Sequence, residues 1–170
     1  ASVNLGTIVD STNLKSFNAS ANKGGVTATI DASAAASHLD LTTFTFSEGN
    51  DVVTLDNAAI DKNINLGAGD DSITLAAGVT AITKVIDGGT GTDTIVMTAA
   101  QAVTATADDV FEGKISNFEK LSIGQVATAT PSTINLANMD DISYVISANT
   151  FGANTTQTEY ADVTFTDLIA

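Results

Sequence analysis

Apolar and polar residues alternate in short stretches along most of this chain, a pattern that predicts β-strands. Because successive side chains of a strand point to opposite faces, such alternation allows one face to be buried. Val, Ile and Thr dominate these stretches, and β-branched residues favour strands. Only residues 98–112 could hold a helical turn, and their Thr and Val content argues against one. The predicted strands are 25–31, 39–46, 52–55, 62–66, 72–75, 81–86, 94–97, 115–123, 132–136 and 142–147.

A recurring turn organises these strands into a repeat. Each turn carries glycine and ends in an aspartate, and an apolar residue follows two places later. The three aspartates, Asp51, Asp71 and Asp93, lie 20 and then 22 residues apart. A further predicted strand separates successive turns, so one period holds two strands and two turns. We therefore predict an all-β fold, an elongated parallel β-solenoid with rungs of about 20 residues. The turns are residues 46–51, 66–71 and 88–93.

The 170 residues predict a single solenoid domain over 1–170, long enough to bury a core. Residues 46–97 would form the rungs that carry the glycine–aspartate turns. We expect residues 1–45 and 98–170 to form degenerate rungs, in which the turn residues have been lost. The chain begins at Ala1 rather than at methionine, and we expect it to be part of a longer protein.

Glycine-bearing turns that end in aspartate suit calcium. Calcium takes six to eight oxygen ligands at about 2.3–2.6 Å, and backbone carbonyls serve as well as carboxylates. Glycine permits the backbone conformations that aim several carbonyls at one point. Since stacked rungs lie about 4.8 Å apart, an ion between two turns can take ligands from both. We predict one ion between the turns of Asp51 and Asp71 and another between those of Asp71 and Asp93, coupled to folding. The alternative is that glycine and aspartate serve only as turn formers.

The charge balance narrows the possible partners. Twenty acidic residues face six lysines, with no arginine, for a net charge of −14. Such a chain would be repelled by nucleic acid and by an anionic membrane surface. No apolar stretch approaches the roughly 20 residues of a membrane span. Because the chain has no cysteine, it cannot form disulfides, and a secreted chain of this kind would need metal ions as its stabilising cross-links. Cations are therefore the expected partners, although an acidic surface can also serve solubility alone.

The third turn carries the most complete motif. Residues 88–96, GGTGTDTIV, match the full nonapeptide G-G-x-G-x-D-x-U-x, in which U is a large apolar residue. The second turn matches from its second position onward and has Leu66 in place of the first glycine. The first turn has Phe46 and Ser47 at the glycine positions. One full, one near and one partial match at a steady spacing form a stronger signal than any single match. What the first turn retains is Gly49, Asn50, Asp51 and Val53.

On these residues the chain resembles the RTX family of calcium-binding repeat proteins exported by type I secretion, and among them bacterial S-layer and adhesin members. The resemblance implies a secreted, extracellular structural protein at the bacterial cell surface. It also implies folding on extracellular calcium, and, for S-layer members, a calcium-dependent lattice of copies. The calcium ligands that it implies are Gly49 and Asp51 in the first turn, Gly67, Gly69 and Asp71 in the second, and Gly88, Thr90 and Asp93 in the third. We add the neighbouring Asn50, Asp70 and Gly91 as candidate metal-site residues.

The end of the chain has two interpretations. After Lys120 there is no basic side chain, and residues 163–170 are acidic and then apolar. This resembles the C-terminal signals of type I secretion. The alternative is a final rung of the solenoid.

The rival function is a carbohydrate-active or carbohydrate-binding β-helix, with cell-surface polysaccharide as its partner. Paired carboxylates can divide the acid and base roles of a glycosidase. However, the chain has no arginine and few aromatic residues, and adjacent residues of a strand point to opposite faces. His38 is the only histidine, which argues against a His-based zinc site or a Ser-His-Asp triad. We therefore expect that the chain is not an enzyme. A passive stalk is a third interpretation. The acidic pairs are Asp70–Asp71, Asp108–Asp109 and Asp140–Asp141.

Overall fold

The protein is an all-β parallel solenoid of about five turns, as predicted. A computed structural model describes residues 1–9, 16–31, 43–56, 59–60, 62–77, 79, 81–124, 132–139, 142–147 and 163–167. Two parallel sheets form the faces of the coil, and each strand of the smaller sheet is followed along the chain by a strand of the larger one. Strands are numbered in chain order.

The first face, the long sheet, has seven strands that pair in chain order. Every neighbouring pair is parallel, so each rung rests on the one before it. Only the pairing of the first two strands contains a register shift. The strands are β1 (Val3–Val9), β3 (Val26–Asp31), β5 (Val52–Asp56), β8 (Ser72–Leu75), β11 (Thr94–Met97), β13 (Lys120–Ile123) and β15 (Tyr144–Ser147).

The opposite face, the short sheet, has five strands, again parallel. They are β2 (Phe17–Asn18), β4 (Thr43–Thr45), β7 (Asn63–Asn65), β10 (Ile86–Asp87) and β12 (Ile115–Ser116). Two smaller parallel pairs join β6 (Ala59–Ile60) to β9 (Ala81–Ile82) and β14 (Ser132–Asn135) to β16 (Val163–Thr166).

The core lies between the two sheets. On the long sheet the apolar residue two places after each turn stacks on its counterpart in the next rung, as Val53 does on Ile73 and Ile73 on Ile95. All three are fully buried, as is Leu121 in the following rung. Burying a side chain of this size contributes roughly 1.5–3 kcal/mol. The short sheet faces them with Phe44, Ile64, Ile86 and Ile115, all buried.

A helix interrupts the solenoid after β11. Helix α1 (Ala99–Ala105) begins at a capping box, in which the Thr98 hydroxyl accepts from the backbone of Gln101 and the Gln101 side chain accepts from the backbone of Thr98. This reciprocal cap satisfies two backbone donors. It outweighs the Thr and Val content that argued against a helix here. Two short 3₁₀ turns follow, at Glu112–Lys114 and Leu136–Asn138. No helix in the described residues has both the length and the apolarity to cross a membrane.

Candidate metal centre

The three glycine–aspartate turns lie at the same edge of the solenoid, where the chain passes from the short sheet to the long sheet. They are six residues each and stack directly. In the strands that follow, Val52 pairs with Ser72 and Ser72 with Thr94. The aspartate that precedes each of these residues is therefore in register with the others, as the spacing predicted.

The stacked aspartates are buried and linked by hydrogen bonds. Asp51, Asp71 and Asp93 are each at most 1% exposed. The backbone N–H of Asp51 donates to Asp71 Oδ1, and the N–H of Asp71 donates to Asp93 Oδ1, both at 2.7 Å. Each carboxylate thus satisfies a backbone donor of the preceding rung, and the bond fixes both the register and the direction of the side chain.

Glu119 extends this stack and was missed at the sequence level. The N–H of Asp93 donates to Glu119 Oε2 at 2.7 Å. Lys120 pairs with Thr94, so Glu119 occupies the position that aspartate holds in the earlier rungs. The signal in the sequence is Leu121, an apolar residue two places on, as in the other rungs. We call these four residues, Asp51, Asp71, Asp93 and Glu119, the acidic column.

The glycines allow the second and third turns to touch backbone to backbone. Gly67 and Gly69 have φ of +105° and +128°, and Gly89 and Gly91 have φ of +99° and +143°, a region that favours glycine. A Cβ at Gly91 would overlap the carbonyl oxygen of Gly69. The two turns also exchange hydrogen bonds, from Thr90 N–H to Gly67 O at 3.0 Å and from Gly69 N–H to Thr90 O at 2.9 Å. The backbones of these two turns are therefore in direct contact, with carbonyl oxygens of Gly67, Gly69 and Thr90 at the contact.

Two carboxylate oxygens of the column have no hydrogen-bond partner. Asp71 Oδ2 and Asp93 Oδ2 are buried, and neither contacts a donor among the described residues. Gly88 lies close to the second of these, since a Cβ there would overlap the Asn117 carbonyl oxygen and come within 2.9 Å of Asp93 Oδ2. A buried anionic oxygen without a partner is costly, and folded proteins rarely leave one uncompensated. These atoms fit a bound cation.

The electrostatics of the two aspartates agree with this geometry. The pKa of Asp71 is raised from 3.8 to about 7, chiefly by burial and in addition by the nearby carboxylates of Asp51, Asp93 and Asp70, while the hydrogen bond from the Asp51 N–H acts to lower it. Burial likewise raises the pKa of Asp93 to about 6, with Glu119 as the largest charged contributor. Without a cation, the ionised column is therefore unfavourable at neutral pH.

Not every candidate ligand faces the column. Asn50 and Asp70 are exposed, and each accepts a backbone hydrogen bond from the next rung at 3.0 Å, Asn50 Oδ1 from Asp70 N–H and Asp70 Oδ1 from Thr92 N–H. Gly49 does not have the positive φ of the glycines in the later turns. The described residues contain no group of three or more His, Cys, Asp or Glu side chains placed to hold a metal. A cation at the column would therefore need backbone carbonyls among its ligands.

The acidic pairs of the carbohydrate hypothesis are dispersed. Asp70 is exposed whereas Asp71 is buried, so this pair points in opposite directions, as expected for neighbours at a strand. Asp108 and Asp109 are exposed in the segment that follows α1. Asp140, Asp141 and His38 lie outside the described residues.

Comparison with known proteins adds no relative: no family model, no curated protein and no solved structure matches the chain. The interpretation of the site therefore depends on its own geometry.

The raised pKa values predict that the metal-free chain loses stability as pH rises. Asp71 and Asp93 titrate near 7 and 6 when folded, and near 3.9 in an unfolded chain. Between these values the native state binds more protons than the unfolded state, so the free energy of unfolding falls from about pH 4 to pH 7. Thermal melts of chelator-treated protein across this range test the slope. Because the net charge of the chain acts in the same direction, the control is the double variant Asp71→Asn/Asp93→Asn, whose slope should be shallower. If stability falls with pH equally steeply in the double variant, Asp71 and Asp93 are not the source of the pH dependence.

Proposed function

We propose that this chain is a calcium-binding structural module, in which ions at the glycine–aspartate turns stabilise the solenoid. The observation that supports it is the pair of buried, unpartnered oxygens, Asp71 Oδ2 and Asp93 Oδ2, inside stacked glycine turns. The role of the ion is structural. It stabilises the edge of the solenoid that carries the acidic column, where the negative charge would otherwise be uncompensated.

The chemistry of the donors favours calcium over other metals. The atoms at this edge are carboxylate and carbonyl oxygens, which are hard ligands. The chain has no cysteine and its single histidine, His38, lies outside the three turns, so the turns lack the usual zinc ligands. Magnesium demands a near-ideal octahedron and retains water, whereas calcium accepts irregular sets of carbonyls and carboxylates. Irregular sets are what stacked turns offer.

The residues of the chain have separable tasks in this proposal. Asp71 and Asp93 supply the negative charge, and the turn glycines permit the close approach of the two backbones. Val53, Ile73 and Ile95 anchor the turns to the core. A bound ion offsets the repulsion along the column. At a calcium concentration 100 times the Kd, it would stabilise the fold by about 2.7 kcal/mol for each site.

The cellular setting that we propose is the bacterial cell surface, after secretion, in an S-layer or an adhesin. It is supported by the resemblance of residues 88–96 to the RTX repeat, by the absence of cysteine and by the acidic composition. Copies of the same chain would be its partners in a lattice.

Calcium removal is the direct test. Far-ultraviolet circular dichroism and thermal melts should be recorded in EGTA and then in millimolar calcium, with equal magnesium as the control. We expect calcium to raise the melting temperature by about 5–10 °C for each occupied site, from roughly 2–4 °C per kcal/mol in a domain of this size. Magnesium should have much less effect. Identical melts in EGTA and calcium would overturn the proposal.

A further inference from the structure

The first turn differs from the other two in how its aspartate is satisfied. Asp51 Oδ2 accepts the backbone N–H of Ser47 at 2.9 Å, and Asp51 Oδ1 lies 2.6 Å from the Ser47 hydroxyl. Asp51 Oδ1 also accepts the backbone N–H of Val26. Both oxygens of this carboxylate therefore have donors from the protein itself.

The later turns differ at the position equivalent to Ser47. Ser47 lies four residues before Asp51, and the equivalent positions before Asp71 and Asp93 are Gly67 and Gly89. The stacking supports this alignment, because a Cβ at Gly67 would overlap the carbonyl oxygen of Ser47. Both glycines have positive φ, which Ser47 does not, and the Oδ2 that the Ser47 N–H satisfies in the first turn is unpartnered in each later turn.

We infer that Ser47, through its backbone N–H on Asp51 Oδ2 and its hydroxyl beside Oδ1, takes the place of a cation at the first turn, so that Asp51 is not a calcium ligand. This inference depends on the proposed calcium function and narrows it to Asp71 and Asp93. It differs from the prediction made from spacing, which gave Asp51 a share of an ion. In this arrangement Ser47, which is itself 1% exposed, donates to the carboxylate that would otherwise need the ion. The turn at 46–51 then folds without metal and offers a preformed rung on which the calcium-dependent turns stack.

The same chemical change at two positions of the column tests this. Calcium chloride is titrated by isothermal calorimetry into metal-free Asp51→Asn and Asp93→Asn. We expect Asp51→Asn to keep the calcium stoichiometry and affinity of the unmodified chain, and to melt lower by the same amount in EGTA and in calcium. Asp93→Asn should lose one ion or about tenfold in affinity. If Asp51→Asn weakens calcium binding as much as Asp93→Asn does, Asp51 is a ligand and the inference is wrong.

Two substitutions at position 47 provide an independent measurement should Asp51→Asn not fold. Ser47→Ala removes only the hydroxyl and keeps the backbone N–H that satisfies Asp51 Oδ2, so we expect calcium affinity to be unchanged while the melting temperature falls. Ser47→Gly also removes the Cβ and permits the positive φ of Gly67 and Gly89, in which the Oδ2 of the aspartate has no backbone partner, so we expect it to bind one ion more than the unmodified chain. A loss of calcium affinity in Ser47→Ala would identify Ser47 as a ligand and overturn the inference. Unmodified chain that binds no calcium would instead overturn the proposed function.

Discussion

Asp71→Asn should be more stable than the unmodified chain in EGTA and less stable than it in calcium. In the metal-free state the substitution removes a buried carboxylate, and burial has raised the pKa of this carboxyl group to about 7. The side-chain amide oxygen of the new asparagine can still accept the hydrogen bond from the N–H of Asp51. In calcium the variant loses a charged ligand. We expect its melting temperature to lie a few degrees above the unmodified chain in EGTA, and about 5–10 °C below it in saturating calcium.

The reversal of sign distinguishes a metal ligand from a structural aspartate. If Asp71 served only as a turn former, its loss would destabilise the chain equally under both conditions. The matched control is Asp109→Asn, which makes the same charge change at an exposed position. That variant should follow the unmodified chain in EGTA and in calcium to within about 0.5 kcal/mol. An Asp71→Asn variant that melts lower in both buffers would refute the assignment of Asp71 as a ligand.

Gly91→Ala should destabilise the solenoid strongly whether or not calcium is present. Gly91 has φ of +143°, and its added Cβ would overlap the carbonyl oxygen of Gly69 in the neighbouring rung. Unfavourable φ and a clash with backbone together should cost roughly 3 kcal/mol, or about 10 °C in melting temperature.

Gly113→Ala is the matched control for this substitution. Gly113 lies in the 3₁₀ turn Glu112–Lys114, does not have positive φ, and would place its Cβ in open space. Its melting temperature should stay within a degree or two of the unmodified chain. If Gly91→Ala lowered the melting temperature in EGTA no more than Gly113→Ala does, the second and third turns would not be packed as closely as described.

The fold could be predicted from the sequence because one short pattern, a turn aspartate with an apolar residue two places later, specifies both the turns and the core. The spacing of Asp51, Asp71 and Asp93, with Val53, Ile73 and Ile95 two places on, requires rungs that stack in register. Since a slip of one residue would turn every apolar side chain outward, this pattern leaves little freedom in the pairing of strands.

The contacts within the candidate metal centre were harder to predict from the sequence. Glu119 lies 26 residues after Asp93 in a rung whose turn lacks glycine, so spacing and motif both fail to connect it to the column. Ser47 at a glycine position indicated only a degenerate turn. That its hydroxyl reaches Asp51 depends on side-chain geometry within a folded rung, which residue type alone does not specify. The same holds for which carboxylate oxygen remains unpartnered.

The lengths of the connections differ between the two edges of the coil. At the acidic column three successive connections, 46–51, 66–71 and 88–93, have the same length. At the other edge the segments that return the chain, 57–62, 76–85 and 98–114, grow along the sequence, and the last contains α1. Insertions such as α1 can therefore be accommodated at one edge, while the equal connections at the opposite edge keep these three rungs in register. The solenoid is a scaffold in which one edge holds the rungs together and the other is free to carry new surfaces.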